Sequence, residues 1–393
     1  MKKSLLALAA LGAFVGAAQA QSSVTVYGIY DGGYNGRTDE TTTAGAKTTT
    51  SRQGYSGNAQ ASSRLGFRGT ESIGGGTSAI FNLELGVTPG SGAVGVATTA
   101  GVANAQQETG VRTSTVGLTN NTFGTLNIGR ALTGIHTIVA GTVFGGNNML
   151  GDMAYTNMVG GANYNTQTRL HANATRMSNA VMYTTPTFAG LNARLDYSAD
   201  NNTQADNTAT TNRVGNLGLS AAYVYGPFTV RAGRHEVKGN NIAATAVTAD
   251  GFNAALAVNN ALQKTVINAF SARYAKDALT VEAIVGNNKT TTEATSLQAS
   301  KVSSMQLNAS YAIGAITPFV KYGVGKTETG ISGAANSDTS GMQAGAIYNM
   351  SKRTNLYAAY GEQKIKVASS TTATLVNNKV EGKQVAVGLM HSF

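Results

Sequence analysis

The sequence predicts an all-β fold: a 16-stranded antiparallel up-and-down transmembrane β-barrel with its third long loop folded inward. Three observations predict it. Apolar and polar residues alternate with period two through segments of about ten residues, as in strands with one apolar face. The connections between those segments alternate between short and long, so all tight turns fall at one end of the strands. Only 12% of the 393 residues are charged and 48 are glycine, yet no apolar stretch is long enough to cross a bilayer as a helix. The absence of cysteine removes disulfides, thiolate metal sites and thiol nucleophiles from consideration.

The elements follow in chain order. Met1-Lys2-Lys3, an apolar run from Leu5 to about Ala18, and Ala18-Gln19-Ala20 form the three parts of a secretory signal peptide. Cleavage near Ala20 leaves residues 21–393 as a single outer-membrane barrel domain, exported through the periplasm. It removes two of the 29 basic residues against 19 acidic ones, leaving a net charge of +8.

Strands are expected near 23–34, 62–71, 77–87, 111–120, 124–130, 176–185, 190–199, 213–225, 227–238, 265–276, 278–289, 303–313, 316–327, 341–350, 354–367 and 382–393. The short connections are 72–76, 121–123, 186–189, Gly226, Asp277, 314–315 and 351–353. The long ones are 35–61, 88–110, 131–175, 200–212, 239–264, 290–302, 328–340 and 368–381. An even count brings both ends to the tight-turn side and lets the last strand close on the first. Closure pairs every backbone hydrogen bond and leaves no edge in lipid.

The two faces read clearly in several strands. Ala79, Phe81, Leu83 and Leu85 oppose Ser78, Asn82, Glu84 and Gly86; Leu217, Leu219, Ala221 and Tyr223 oppose Asn216, Gly218, Ser220 and Ala222. The polar face is small and hydrophilic, which suits a wet lumen. Tyr225, Phe228, Tyr274, Tyr311, Phe319, Tyr348 and Tyr357 flank short turns and are expected in an interfacial girdle. Segments 38–50, 290–296 and 369–374, rich in Thr, Ser and Ala, are expected to be solvated external loops. The loop 131–175 carries Ile135, Ile138, Val139, Val143, Phe144, Met149, Leu150 and Met153. So apolar a loop should pack on something, and the inner barrel wall is the nearest surface; the alternative is an extra hairpin hidden within it.

At this point a family resemblance enters. Ser63-Arg64-Leu65-Gly66-Phe67-Arg68-Gly69 and the residues after it to Glu84, Arg112-Thr113-Ser114-Thr115-Val116-Gly117-Leu118, and Phe123-Gly124-Thr125-Leu126-Asn127-Ile128-Gly129-Arg130 resemble the general porins of Gram-negative bacteria, particularly the beta-proteobacterial type. The opening Ser22 to Asp31 and the terminal His391-Ser392-Phe393 match as well. The resemblance implies a homotrimer of sixteen-stranded barrels in outer-membrane lipid and lipopolysaccharide. Each barrel would pass small hydrophilic solutes and anions by passive diffusion, with no cofactor, metal or catalytic residue. It places Arg64, Arg112, Arg130 and Arg176 as basic groups of a pore constriction, with Arg68 following Arg64 on one face. Alternation agrees for Arg64 and Arg68, since Leu65 and Phe67 take the other face. For Arg112 it disagrees, putting it beside Val116 and Leu118. Asp152, the one acid of residues 131–175, and Glu84 are the expected acidic partners; the family's Pro-Glu-Phe-Gly-Gly-like loop motif is absent. The excess of arginines favours anions in a narrow pore.

Other motifs fail. Tyr322-Gly323-Val324-Gly325-Lys326-Thr327 lacks the first glycine of a phosphate-binding loop and reads as a strand. His136, His171, His235 and His391 show no metal-ligand spacing. Ser220 and His235 are the only weak hydrolase pair, and the basic residues are too scattered for a nucleic-acid stripe. A substrate-specific channel is the alternative function, ahead of a non-channel adhesin or an outer-membrane enzyme.

Overall fold

The computed structural model describes residues 23–43, 45–90, 110–139, 148–153, 175–199, 214–240, 262–292, 298–329, 335–370 and 378–393. The expected signal peptide and its cleavage site lie outside the described residues, as do Val143, Phe144 and His171. The strands are β1 (Ser23–Thr43), β2 (Ala46–Gly57), β3 (Arg64–Gly74), β4 (Thr77–Gly86), β5 (Val111–Asn120), β6 (Gly124–Leu132), β7 (Arg176–Thr184), β8 (Leu191–Ser198), β9 (Val214–Tyr225), β10 (Phe228–Asn240), β11 (Leu262–Lys276), β12 (Leu279–Thr292), β13 (Gln298–Tyr311), β14 (Ile316–Thr329), β15 (Ala335–Asn349), β16 (Thr354–Ser370) and β17 (Lys379–Ser392). One helix, α1 (Gly134–Val139), lies between β6 and β7.

Every neighbouring pair is antiparallel, and β17 closes on β1 from Ile29↔Ser392 to Thr42↔Lys379. β2 and β3 pair with successive halves of β1, Gly57 with Gly32 and Arg64 with Ile29. They are two halves of one wall strand, so the described residues form a closed sixteen-stranded barrel. The break between them is held by Asp31, fully buried in β1. Its Oδ2 accepts the Gln60 and Ala61 amides at 2.7 and 2.8 Å, and its Oδ1 accepts the Tyr357 hydroxyl at 2.7 Å. Asn58 turns the chain there with φ +71°, and its Oδ1 accepts the Ser63 amide at 2.7 Å.

The expected loop 35–61 is corrected: most of it is β1–β2 ladder, from Gly32↔Gly57 out to Thr43↔Ala46. Threonine's branched Cβ fits a pleated surface, and Thr38 meets Ser51 across the pair at 3.1 Å. Likewise Thr290, Thr291 and Thr292 belong to β12, and β16 runs on to Ser370. The girdle is corrected at two positions. Tyr225, Phe228, Tyr311 and Tyr348 face outward, but Phe319 and Tyr357 are buried on the inner face. Gly345 and Gly388 open the space for those two rings, since a Cβ there would collide with Phe319 Cζ or with the Tyr357 hydroxyl.

The wall is uneven. Strands β3 to β8 have 8 to 11 residues, whereas β9 to β17 have 12 to 17. Near the long-loop ends of the taller strands, outward-facing lysines pair with carboxylates: Lys264 with Glu236, Lys326 with Glu328, Lys364 with Glu362 and Lys379 with Glu381. No lysine occurs between Lys47 and Lys238.

Candidate pore constriction

Both described pieces of 131–175 lie against the inner wall. Thr133 Oγ1 accepts the His136 amide at 3.2 Å and caps α1. Asp196 Oδ2 accepts the Gly134 amide at 2.6 Å, while its Oδ1 takes Arg194 Nε at 2.6 Å. Ile135, Ile138 and Val139 then bury against Ile267, Ala269 and Ile284, which β11 and β12 point inward. Burial in this loop, reinforced by the positive charge of Arg112, pushes the His136 imidazole down to about 4.

The second piece, 148–153, is clamped by amide side chains of the tall wall. The Leu150 amide donates to Gln384 Oε1 at 2.9 Å, and the Met153 amide to Gln306 Oε1 at 2.6 Å. Gln343 Nε2 donates to the Met149 and Leu150 carbonyls at 3.1 and 2.9 Å. Gly151, at φ +91°, passes so close to the Met342 carbonyl that a Cβ would collide with it. Asp152 pairs with Lys321 Nζ at 3.0 Å, and both side chains are completely buried. The loop therefore covers wall positions from β8 to β17.

The basic cluster occupies the remaining arc. Glu84, on the inner face of β4, stands beside Gly66 and Thr113 in the ladder. Its Oε1 accepts Arg112 Nε at 2.7 Å, and its Oε2 lies 3.9 Å from Arg64 Nε. The Tyr27 hydroxyl is 3.2 Å from the same Oε2 and 2.8 Å from Asn82 Oδ1. A side chain on Gly66 would collide with the Tyr27 ring, so glycine there lets the ring lie across β3. The Arg68 guanidinium sits 5.1 Å from that ring's centroid. Arg176, buried at the start of β7, is within electrostatic reach of Arg64 and Glu84.

A bulge explains why alternation misplaces Arg112. Glu84 pairs with Thr113 but Leu85 pairs with Val111, so Arg112 is an extra residue in β5. Val111 stays 43% exposed on the outer face, while Arg112, 5% exposed, turns in to Glu84.

Two expected constriction residues stand elsewhere. Arg130 pairs with Ser114 in the row that holds Val116↔Ile128 and Leu118↔Leu126, the outward face. It donates to the Val111 carbonyl at 2.9 Å and to Ser178 Oγ at 2.7 Å. Asp152 faces Lys321 rather than the arginines, because the loop tip docks on the tall wall and seals that carboxylate into it. Tyr27 and Lys321 were not singled out from the sequence; Tyr27 carries a signal in sharing the polar alternation of its strand. His235 is buried and meets Asn216 Oδ1 at 3.1 Å through Nε2, while Ser220 lies against Gly134. Tyr322 to Thr327 form part of β14.

The family model for Gram-negative porins matches residues 7–367. The chain belongs to that family. An outer membrane porin protein of Bordetella pertussis is 34% identical to this porin over 257 residues, 61% of each chain. Outer membrane porin protein 32 of Delftia acidovorans is 35% identical over 240 residues, 61% of this chain and 60% of that one. The matches span about three-fifths of those relatives' lengths. Among solved structures, an anion-selective porin from Comamonas acidovorans superposes with a TM-score of 0.68 at 25% identity, covering 95% of this porin and 100% of that chain. OmpT of Vibrio cholerae, 14% identical with a TM-score of 0.61 over 95% of this porin and 98% of that chain, shares the fold. Family and fold place the porin in the outer membrane.

Proposed function

We propose that the porin is a water-filled channel for passive diffusion of small hydrophilic solutes and ions, with a preference for anions. The observation that carries this reading is the cluster around Glu84. Arg64, Arg68, Arg112 and Arg176 gather about one carboxylate, and the loop acid that could have balanced them is neutralised by Lys321. A net positive charge in a low-dielectric neck raises the local anion concentration. The likeness to an anion-selective porin points the same way. The single barrel of residues 21–393 is taken to assemble as a homotrimer, the low, lysine-free wall of β3 to β8 turned toward its copies. The lysines of the tall wall are taken to face lipopolysaccharide phosphates.

Planar-bilayer recording in a salt gradient tests the channel. Three equal closing steps and an anion-shifted reversal potential are expected; a silent protein would overturn the reading. Neutralising Arg64 and Arg112 together removes two charges about 10 Å from a passing ion. In a water-like medium that is ~0.8 kcal/mol, on the order of a fourfold fall for anions and an equal rise for cations, and so about a sixteenfold fall in anion-to-cation permeability. An unchanged ratio would overturn the arginine assignment while leaving the channel in place.

A further inference from the structure

A second group of arginines lines the inner wall away from the Glu84 cluster. Arg231 of β10 stands directly across from Ser271 of β11, and Arg273 is two residues along β11 on the same inward face. Directly paired residues have Cβ atoms about 5 Å apart and diagonal ones about 7 Å, so long side chains from these positions converge. Three of their polar atoms, Arg231 Nη1, Arg273 Nε and Ser271 Oγ, are buried and meet no hydrogen-bond partner. Ser271 is completely buried although it faces the lumen. Buried donors without an acceptor are costly in a folded protein, and these three come from adjacent inward-facing positions of two paired strands.

The surroundings define what fits there. Two residue pairs up the ladder towards the long loops, Gly233 lies opposite Ala269, and Ile138 of α1 packs on Gly233, so the helix roofs the spot. Ile284 pairs with Ser271 from the far side and is buried. Glu282 pairs with Arg273 and lies within electrostatic reach of Arg231, leaving two guanidinium groups to one carboxylate. The position is five residues from the turn at Gly226, whereas Arg112 is nine from the turn at Asn121. That is ~13 Å along the strands toward the tight-turn end.

We propose that Arg231, Ser271 and Arg273 form an anion-binding station beyond the constriction that holds small oxyanions of the phosphate type. Two guanidinium donors and one hydroxyl arriving from two strands suit a group with several acceptor oxygens. Chloride would find only the charge. Solutes crossing the Glu84 cluster would pause here before release at the tight-turn side. The inference rests on the channel reading for its role in transport, but the binding site itself stands or falls separately.

The test measures binding without current. The full mature chain, folded in detergent, is titrated with inorganic phosphate and followed by phosphorus NMR line broadening. An Arg64→Gln/Arg112→Gln background silences the constriction, and Arg231→Gln is then added to it. Saturable phosphate binding should persist in the background and weaken at least tenfold with Arg231→Gln. Ser271→Ala, which removes one small group and keeps both charges, should weaken it severalfold and stands in if the arginine variant fails to fold. Loss of all saturable binding in the background, or no change on adding Arg231→Gln or Ser271→Ala, would overturn the station. Silence of the wild-type chain in bilayers with intact phosphate binding would instead overturn the channel reading.

Discussion

Arg112 reaches the lumen through one inserted residue, and Asp152 is taken out of the electrostatics of the pore by one lysine. Both facts turn on single side chains. Breaking the sealed Asp152–Lys321 pair leaves an uncompensated charge in a dry pocket, so Lys321→Met alone should destabilise the docked loop by about 3–5 kcal/mol. Combining it with Asp152→Leu should recover most of that loss. Urea unfolding in detergent measures both, and an equal loss in the single and double variants would contradict the account. At this scale the sequence was partly legible. Arg64, Arg68 and Glu84 could be read from alternation alone. Arg112 could not, because a bulge leaves no mark on composition, and its position was carried by resemblance. Resemblance also carried Arg130, and there alternation was the better guide. Lys321 lies 169 residues from Asp152, beyond the reach of any local pattern.

Among the elements, α1 and the broken second wall strand show how polar groups hold irregular backbone. The docked α1 keeps His136 neutral, its pKa pushed from the ordinary 6.5 to about 4. Above pH 6.5 docked and released loops bind protons equally, so docking is unaffected. As pH falls from 6.5 toward 4, the released loop takes up a proton that the docked one refuses, and docking weakens progressively. Amide exchange in residues 134–139 should therefore accelerate over that window, and His136→Gln should flatten the response. An identical pH profile in the variant would remove His136 as the cause. The Asp31 knot gives a second expectation. Asp31→Ala strands the Gln60 and Ala61 amides and a tyrosine hydroxyl, so a loss on the order of 1–3 kcal/mol per buried stranded donor is expected in the same unfolding assay. Most strands were legible because each buries one face in lipid and wets the other. The β1–β2 extension was not, since a run of threonines reads as loop by polarity while its branched side chains favour the ladder.

For the whole molecule, the asymmetry of the wall organises its surroundings. The low arc from β3 to β8 offers outward Phe81, Val116, Leu118, Ile128 and Leu195 without a lysine, whereas the tall arc carries paired lysines and glutamates. If the low arc meets the other copies, a cysteine at Leu118 should crosslink protomers through a short bis-maleimide, and one at Leu307 on β13 should not. Equal crosslinking at both would contradict the arrangement. The strand count and closure were legible from alternating connection lengths, but the unequal heights were not, because strand ends merge into polar loops without a change in composition. The loop tip fastened to Gln306, Gln343, Gln384 and Lys321 has one more consequence, and it is electrical. With α1 seated at one point of the circumference and residues 148–153 fastened at another, both described pieces of the loop are tied to the wall. Slow movement of these pieces should be suppressed, and the open current through a single barrel should be quiet.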